Sequence, residues 1–294
     1  MAMTLSALRR YPIKSCRGEA LDDAVVEPWG LAGDRRWMIV DDTGTALTAR
    51  TVNAMLLLRP EVTETGLRLH TPGDHGRPSA PMDVVVPDPA VQVPVRVGAS
   101  FITAVPTGPE VASWICQVLG TNARLVWLDD PQRRPTDQRY SEADDRVSFA
   151  DGFPLLLTSE GSLADLNEAV AGAAPLAMTR FRPNVVISGA EAWAEDDWRR
   201  IRIGEATFRA VKACERCVMT TVDPETAERG REPLATLART RRWDGKTWFG
   251  VNLIPDVTDP SGADAPRIAV GDEVEVLESV PPGEGPLRTP IHVH

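Results

Sequence analysis

A short segment of this chain places two thiols and a guanidinium within four residues. It reads Cys214-Glu215-Arg216-Cys217 and runs directly into the mainly β-branched stretch Val218-Met219-Thr220-Thr221-Val222. A thiolate is a soft ligand for transition metals, and a fixed positive charge beside a cysteine favours that ionised form. The segment therefore predicts either a metal site or thiol redox chemistry, with Cys217 as the central candidate.

Three explanations of this cysteine pair stay open at the level of the residues. A structural zinc site needs four ligands, and Cys16 and Cys116 lack the paired spacing that would complete one. A dithiol redox motif should open a helix after a strand, whereas residues 218–222 predict extended chain. Structural coincidence is the third explanation, because free cysteines are often merely buried.

Several other segments offer the chemistry of an anion site. Lys14-Ser15-Cys16-Arg17-Gly18 combines a cation, a hydroxyl and backbone amides, and Arg182 precedes Pro183, which predicts an extended arginine. Thr158-Ser159 stands where a helix begins, and helix N-termini can hold phosphates. Each signal is weak alone, since a solvated turn or an ordinary helix cap explains it equally well.

Composition limits the classes of function. The net charge is −10 with a pI near 5.0, which argues against general binding to nucleic acid, so any anion site must be local. No apolar run is long enough to cross a membrane. Four cysteines in 294 residues, without a secretory signal, predict a cytoplasmic protein with free thiols.

The periodicity predicts a mixed fold, mainly β with α. Short strands separated by turn residues are predicted over the first hundred residues. They include a hairpin over 36–49 and an edge strand over 91–97 that contains Pro94. A helix is predicted over 109–119, a long loop over 129–151, and a tail without periodicity from 281 to 294. Further strands are predicted at 154–157, 184–188, 200–203, 207–212, 218–222, 248–254 and 267–277, with helices near 159–171 and 233–241.

Five segments, taken in order, closely resemble the two-part MOSC proteins, of which the mitochondrial amidoxime-reducing component and bacterial YcbX-like proteins are the nearest types. The match rests on several motifs in the family's order rather than on any one of them. The segments are Tyr11-Pro12-Ile13-Lys14-Ser15-Cys16-Arg17-Gly18, Gly33-Asp34-Arg35-Arg36-Trp37, residues 157–167, residues 180–189 and residues 214–224.

The resemblance implies a β-barrel-like MOSC N-terminal domain over 1–105, a helix, strand and connecting loop over 106–150, a β-barrel MOSC domain over 151–279 and a flexible tail over 280–294. It implies a molybdenum cofactor between the two domains, with Cys217 as the thiolate ligand to molybdenum. The residues that it implies for holding the cofactor are Lys14, Ser15, Arg35, Thr158, Ser159, Arg182, Asn184 and Arg216.

The resemblance also implies an activity, namely reduction of N-hydroxylated compounds by cleavage of the N–O bond. Electrons are expected from a separate protein, a flavoprotein reductase or a ferredoxin, because no cysteine cluster that would indicate a ferredoxin-like domain follows Cys217. The alternatives are a cofactor-binding or carrier protein without turnover and a plain thiol-redox protein. Glu215 stands where the eukaryotic relatives carry a small hydroxyl residue, so its role is open.

Overall fold

The computed structural model describes residues 2–72, 80–170, 174–257, 259 and 264–288, and these are mainly β with three short helices, which confirms the predicted fold class. The strands are β1 (Thr4–Arg10), β2 (Glu19–Leu21), β3 (Asp23–Glu27), β4 (Gly30–Leu31), β5 (Trp37–Val40), β6 (Arg59–Thr63), β7 (Gly66–His70), β8 (Met82–Val85), β9 (Val93–Val97), β10 (Ser100–Pro106), β11 (Arg124–Trp127), β12 (Leu155–Ser159), β13 (Val185–Ser188), β14 (Trp198–Ile203), β15 (Ala206–Glu215), β16 (Arg242–Trp243), β17 (Lys246–Pro255), β18 (Arg267–Ala269) and β19 (Val274–Ser279).

The helices are α1 (Pro109–Leu119), α2 (Glu160–Ala169) and α3 (Leu234–Thr240). The predicted helix over 109–119 is confirmed: Pro109 occupies its first turn, and Gly120 ends it in the left-handed conformation. Ser159 caps α2 by accepting a hydrogen bond from the Ser162 amide. Among the described residues, the longest α-helix has 11 residues, too few to span a lipid bilayer.

One large sheet joins the two ends of the chain. Its strand order is β19-β14-β15-β17-β12-β13-β1-β2, with β16 paired to β17. All neighbours are antiparallel except β12 and β13, which are parallel and connected through α2. The first two strands are therefore hydrogen-bonded into a sheet whose other members follow residue 154, and β3 pairs with β18 in the same way. The division at residues 105 and 151 stays a prediction.

Three smaller sheets complete the architecture, with orders β5-β11-β10-β9, β6-β7-β8 and β18-β3-β4. Strand β9 lies at the edge of its sheet, as Pro94 predicts, because proline cannot donate a ladder hydrogen bond. One apolar core lies against the large sheet and contains Leu157, Ile201 and Phe208. A second core packs α1 against the N-terminal sheets around Ile115.

Some predicted elements are wrong in detail. Residues 46–49 form no strand, and only a single bridge joins Val40 to Ala46 where a hairpin was expected. The predicted strand over 267–277 is two strands, separated by a turn at Gly271 with φ of 97°. The run 218–222 is a 3₁₀ turn (Val218–Thr221) rather than a strand, because hydrogen bonds to the Cys217 carbonyl curl it locally.

The expected flexible tail is ordered over its first part. The Ala213 amide donates to the Leu287 carbonyl at 2.7 Å, and the amides of Gly283 and Gly285 donate to the Asp197 carboxylate. These hydrogen bonds bind residues 280–288 to the large sheet, in place of the flexible segment that the missing periodicity suggested. Residues 289–294 of that tail lie outside the described residues.

Candidate functional site

A cavity of about 380 Å³ lies between the end of β15, the start of β12 and the loops that follow β1 and β4. This volume is in the range of small-molecule and cofactor sites. Seven of the nine predicted site residues line it: Lys14, Ser15, Arg35, Arg182, Asn184, Arg216 and Cys217.

Cys217 is positioned by the turn that follows β15. Its backbone is extended, with φ of −116° and ψ of 175°, and it precedes the 3₁₀ turn Val218–Thr221. Its carbonyl accepts hydrogen bonds from the Thr220 amide at 3.1 Å and the Thr220 hydroxyl at 2.9 Å. The cysteine is free and partly exposed at the cavity wall, beside Cys214. A thiol held in this way can act as a metal ligand or a nucleophile.

Three cavity residues have strained backbones. Ser15, Arg35 and Arg182 have φ of 65°, 46° and 56°, in the left-handed region that non-glycine residues seldom adopt. Such residues persist only where surrounding contacts hold them, and they concentrate at functional sites. The prediction that Arg182 is extended before Pro183 is wrong. Its amide donates to the Thr179 carbonyl at 3.2 Å, and this bond ends a 3₁₀ turn in the left-handed conformation.

A buried hydrogen-bond network holds Arg35. Its Nη1 donates to Asp34 Oδ2 at 2.5 Å and to Asn184 Oδ1 at 2.9 Å. Asp34 Oδ1 in turn accepts from the Tyr11 amide at 2.7 Å. The Asn184 side chain also bonds the backbone of Arg9 and Leu156, so it connects β1 and β12 to the guanidinium. Asn184 therefore fixes the position of Arg35 more than it offers free polar atoms to a ligand.

Arg182 and Arg216 are fixed by backbone carbonyls. Arg182 Nη1 donates to the Cys16 carbonyl at 2.6 Å, and its guanidinium lies over the Tyr11 ring, 4.2 Å from the ring centroid. Arg216 Nη2 donates to the Phe181 carbonyl at 2.6 Å, and its Nη1 lies 3.0 Å from the Cys214 sulfur. Burial lowers the pKa of Arg182 to about 10, which leaves it cationic near neutral pH.

The cavity carries an excess of positive charge in an acidic protein. Six cations and two carboxylates line it, against a net charge of −10 for the chain. The Arg216 Nε atom is buried and has no hydrogen-bond partner among the described residues. Clustered, desolvated cations favour an anionic ligand, because water no longer compensates their charge. The cations are Lys14, Arg35, Arg50, Arg180, Arg182 and Arg216, and the carboxylates are Asp151 and Glu215.

Sequence reasoning missed Arg50 and Asp151. Asp151 Oδ2 accepts a hydrogen bond from Arg50 Nη2 at 2.9 Å, and its other oxygen pairs with Lys14 Nζ. Lys14 holds the pKa of the Asp151 carboxyl well below its ordinary range, and Arg50 adds to the effect. No local pattern could have joined these three residues, because they are distant in sequence and meet only through folding. Asp151 does lie in the loop that leads to β12, and loops often carry functional side chains.

Thr158 and Ser159, by contrast, do not line the cavity. Both are fully buried at the end of β12. The Thr158 hydroxyl contacts the Met178 sulfur at 3.2 Å, while Ser159 caps α2 and donates to Glu195 Oε2 at 3.0 Å. Their hydroxyls are already used within the protein. The side of the cavity near β12 is formed by residues 150–156 instead.

The arginines of the 129–151 segment do not line the cavity either. Arg133 pairs with Asp129 and Arg139 with Asp137, both at the surface. Arg134 is buried and donates to the carbonyls of Ser148, Ala150 and Asp151. Only the end of this segment, Ala150 and Asp151, lines the cavity, and the buried Arg134 guanidinium holds that end in place.

The remaining cysteines offer no second site. Cys16 is completely buried in the core around α1, and burial raises the pKa of its thiol to about 12. Cys116 donates to the Ala123 carbonyl at 3.3 Å. In the described parts of the chain, no group of three or more histidine, cysteine or acidic side chains is arranged to hold a metal ion.

Comparison with known families and proteins identifies the two halves. The MOSC domain matches residues 144–275, and the MOSC N-terminal beta barrel domain matches residues 2–122. The chain is 33% identical to mitochondrial amidoxime-reducing component 1 of Mus musculus over 93% of this chain and 82% of the relative. It is also 33% identical to the Homo sapiens protein of that name, over 82% of this chain and 73% of the relative.

A second kind of relative is longer. The chain is 30% identical to the molybdenum cofactor sulfurase of Drosophila grimshawi over 93% of its own length, but it spans only 34% of that protein. The amidoxime-reducing relatives match over most of both chains, and they agree with the two family matches on the family of this chain. This chain belongs to the MOSC family, in the group that joins a MOSC N-terminal beta barrel domain to a MOSC domain.

Proposed function

We propose that this protein is a molybdenum-cofactor-dependent oxidoreductase that reduces N-hydroxylated compounds such as amidoximes and N-hydroxylated base analogues. One observation carries the proposal: a free thiol, Cys217, lines the same cavity as six cationic side chains in a chain of net charge −10. The names of the amidoxime-reducing relatives support the substrate class, and those of the sulfurase relatives support the cofactor.

The donor set fits a molybdenum cofactor. A molybdenum ion is soft enough to take a thiolate, and Cys217 presents one free thiol at the cavity wall. The anionic groups of the cofactor need cations and hydrogen-bond donors around them, and Lys14, Arg35 and Arg182 are cations that line the cavity. Arg216, which precedes Cys217 in sequence, is a further cation that lines the cavity.

When bound, the cofactor supplies the two-electron chemistry that removes oxygen from an N–O bond. The residues of the chain bind and orient. Arg35 and Arg182 are held rigidly by buried partners, so they present their charge without reorganising when an anion arrives. Preorganised cations of this kind hold the ligand in one orientation relative to the Cys217 sulfur.

Glu215 is the carboxylate nearest in sequence to Cys217, and it lines the cavity with its side chain 44% exposed. Its Oε2 pairs with Lys246 Nζ at 2.7 Å, a surface pair that costs little to rearrange. In this proposal Glu215 accepts a hydrogen bond from the N–H or O–H group of an amidoxime. Electrons come from a separate protein, a flavoprotein reductase or a ferredoxin; the word "component" in the relatives' names supports such a partner.

The test is a reduction assay on metal-loaded protein. The full chain is purified from cells that make the cofactor, its molybdenum content is measured, and reduction of benzamidoxime and of a hydroxylated base analogue is followed with reduced viologen as the electron donor. We expect turnover in proportion to the molybdenum content. Bound molybdenum without turnover of either substrate would contradict the reductase proposal and indicate a cofactor-binding or carrier protein.

A further inference from the structure

We propose that Asp151 is an internal, exchangeable counter-ion in the cavity, and that Lys14 and Arg50 together form the subsite for the phosphate of an anionic ligand. The Asp151 carboxylate pairs with both cations, and an incoming phosphate displaces it. The inference deepens the proposed function, on which it rests for the identity of the ligand. It adds Arg50, which no sequence signal indicated, to the binding residues.

The carboxylates that pair with other cavity cations, Asp34 and Asp223, do not line the cavity. Arg35 pairs with Asp34, which is fully buried, and Arg182 is held by a backbone carbonyl. Arg180 pairs with Asp223 at 2.6 Å, and Asp223 does not line the cavity. A ligand that contacts these cations therefore binds beside their present partners rather than in their place. Lys14 and Arg50 differ, because the carboxylate that they share is itself a cavity residue.

Exposure shows which member of the cluster can move. The Lys14 side chain is 7% exposed, whereas the Asp151 side chain is 68% exposed and faces the cavity. Lys14 also donates to the Phe149 carbonyl at 2.9 Å, so it keeps one partner when the carboxylate leaves. Burial lowers the pKa of Lys14, and Asp151 opposes that change. A desolvated ammonium of this kind requires an anion beside it, either the carboxylate or a phosphate.

The backbone around Asp151 is fixed, so the exchange is local. Arg134 donates to the carbonyls of Ser148, Ala150 and Asp151, and Lys14 holds Phe149. These bonds hold the backbone from Ser148 to Asp151 and do not involve the Asp151 side chain. The carboxylate can therefore swing toward solvent while the wall keeps its shape. No loop closure or domain movement is needed.

A phosphate can displace the Asp151 carboxylate because a phosphate carries more negative charge and more acceptor oxygens than a carboxylate does. Arg50 presents a planar fork suited to two phosphate oxygens, and Lys14 adds a point charge. Arg50 also lines the same cavity as the Cys217 thiol. The subsite thus lies close to the predicted metal ligand.

The test uses the full chain purified without cofactor, with inorganic phosphate as the probe and sulfate at matched ionic strength as a comparison. Thermal unfolding midpoints are measured across a phosphate titration. We expect Asp151→Asn to lower the midpoint without phosphate and to bind phosphate about tenfold more tightly, because the competing carboxylate is gone. We expect Arg50→Gln to weaken phosphate binding about tenfold with little change in the midpoint without phosphate.

Arg17→Gln and Glu225→Gln are the matched controls, since they break an ion pair outside the cavity, and both should leave phosphate binding unchanged. Phosphate binding by Asp151→Asn that is equal to or weaker than that of the unaltered protein would overturn the inference. Unchanged phosphate binding by Arg50→Gln would also overturn the inference. This second measurement remains available even if Asp151→Asn fails to fold. The proposed reductase activity can fail while these results hold, because the assay uses neither molybdenum nor substrate.

Discussion

Two carboxylates of the protein, Asp151 and Glu195, each lie among groups that could bind an external anion. Asp151 is held by Lys14 and Arg50 at the cavity. Glu195 accepts hydrogen bonds from the hydroxyls of Ser159 and Ser162 at 3.0 and 2.8 Å, at the N-terminus of α2. Helix N-termini and cation pairs both attract negative charge, so the two regions offer similar attractions to an anion.

The two regions differ in access. Glu195 is completely buried, and burial raises the pKa of its carboxyl. The Asp151 side chain is 68% exposed, and Lys14 and Arg50 lower the pKa of its carboxyl. The comparison teaches that donor chemistry alone does not make a ligand site. A motif that predicts anion binding is available to a ligand only where the protein leaves its own anion replaceable.

The largest expected effect is at the cavity. Cys217→Ala should retain the fold and lose molybdenum by more than about tenfold, because loss of a supporting residue around a metal ligand already costs about 10–100-fold. The reductase activity should fall with the metal. The measurements are molybdenum content per chain and the far-ultraviolet circular dichroism spectrum.

Cys116→Ser is the control, because that thiol lies away from the cavity and bonds the Ala123 carbonyl. It should keep the metal. Full molybdenum content in Cys217→Ala would contradict the assignment of Cys217 as the metal ligand. The cavity would then no longer differ from the α2 N-terminus as a proposed ligand site.

A smaller effect is expected at the α2 N-terminus. Ser159→Ala removes a helix cap and one of the two hydroxyl donors to Glu195, so the free energy of unfolding should fall by about 0.5–2 kcal/mol. Molybdenum content should stay unchanged, since Ser159 does not line the cavity. Denaturant unfolding and metal analysis of the same preparation measure both. A large loss of molybdenum without loss of stability would restore the cofactor role that the family resemblance implied for Ser159.

The smallest effect is a difference in pH dependence. The folded protein holds the Glu195 proton to a higher pH than the unfolded chain does. Stability from this residue is therefore complete below the ordinary glutamate pKa and is lost as pH rises through the raised value. We expect Glu195→Gln to gain stability relative to the unaltered protein as pH rises from about 4 to 8.

Denaturant unfolding at several pH values measures this difference. Glu191→Gln is the matched control, since Glu191 is exposed nearby. A constant difference for Glu195→Gln would show that the Glu195 carboxyl ionises normally, and the contrast with Asp151 would lose its basis.

Much of the local structure was predictable from the sequence. The helix over 109–119 carries its start and stop signals in Pro109 and Gly120, and Pro94 correctly indicated an edge strand. The order of several motifs predicted the MOSC family, which the two family matches confirm. The 3₁₀ turn after Cys217 was not predictable, because β-branched residues favour extended chain and only hydrogen bonds to its carbonyl curl the backbone.

The composition and motifs of the sequence by themselves determined the fold class, the family and the residue types of an anion site with one free thiol. Only the tertiary structure decided which of those residues share a cavity. It brought Lys14, Arg50 and Asp151 together and turned Ser159 inward to Glu195. The reason is physical: local patterns record the preferences of neighbouring residues, whereas the electrostatic surroundings of a side chain depend on strands paired from opposite ends of the chain.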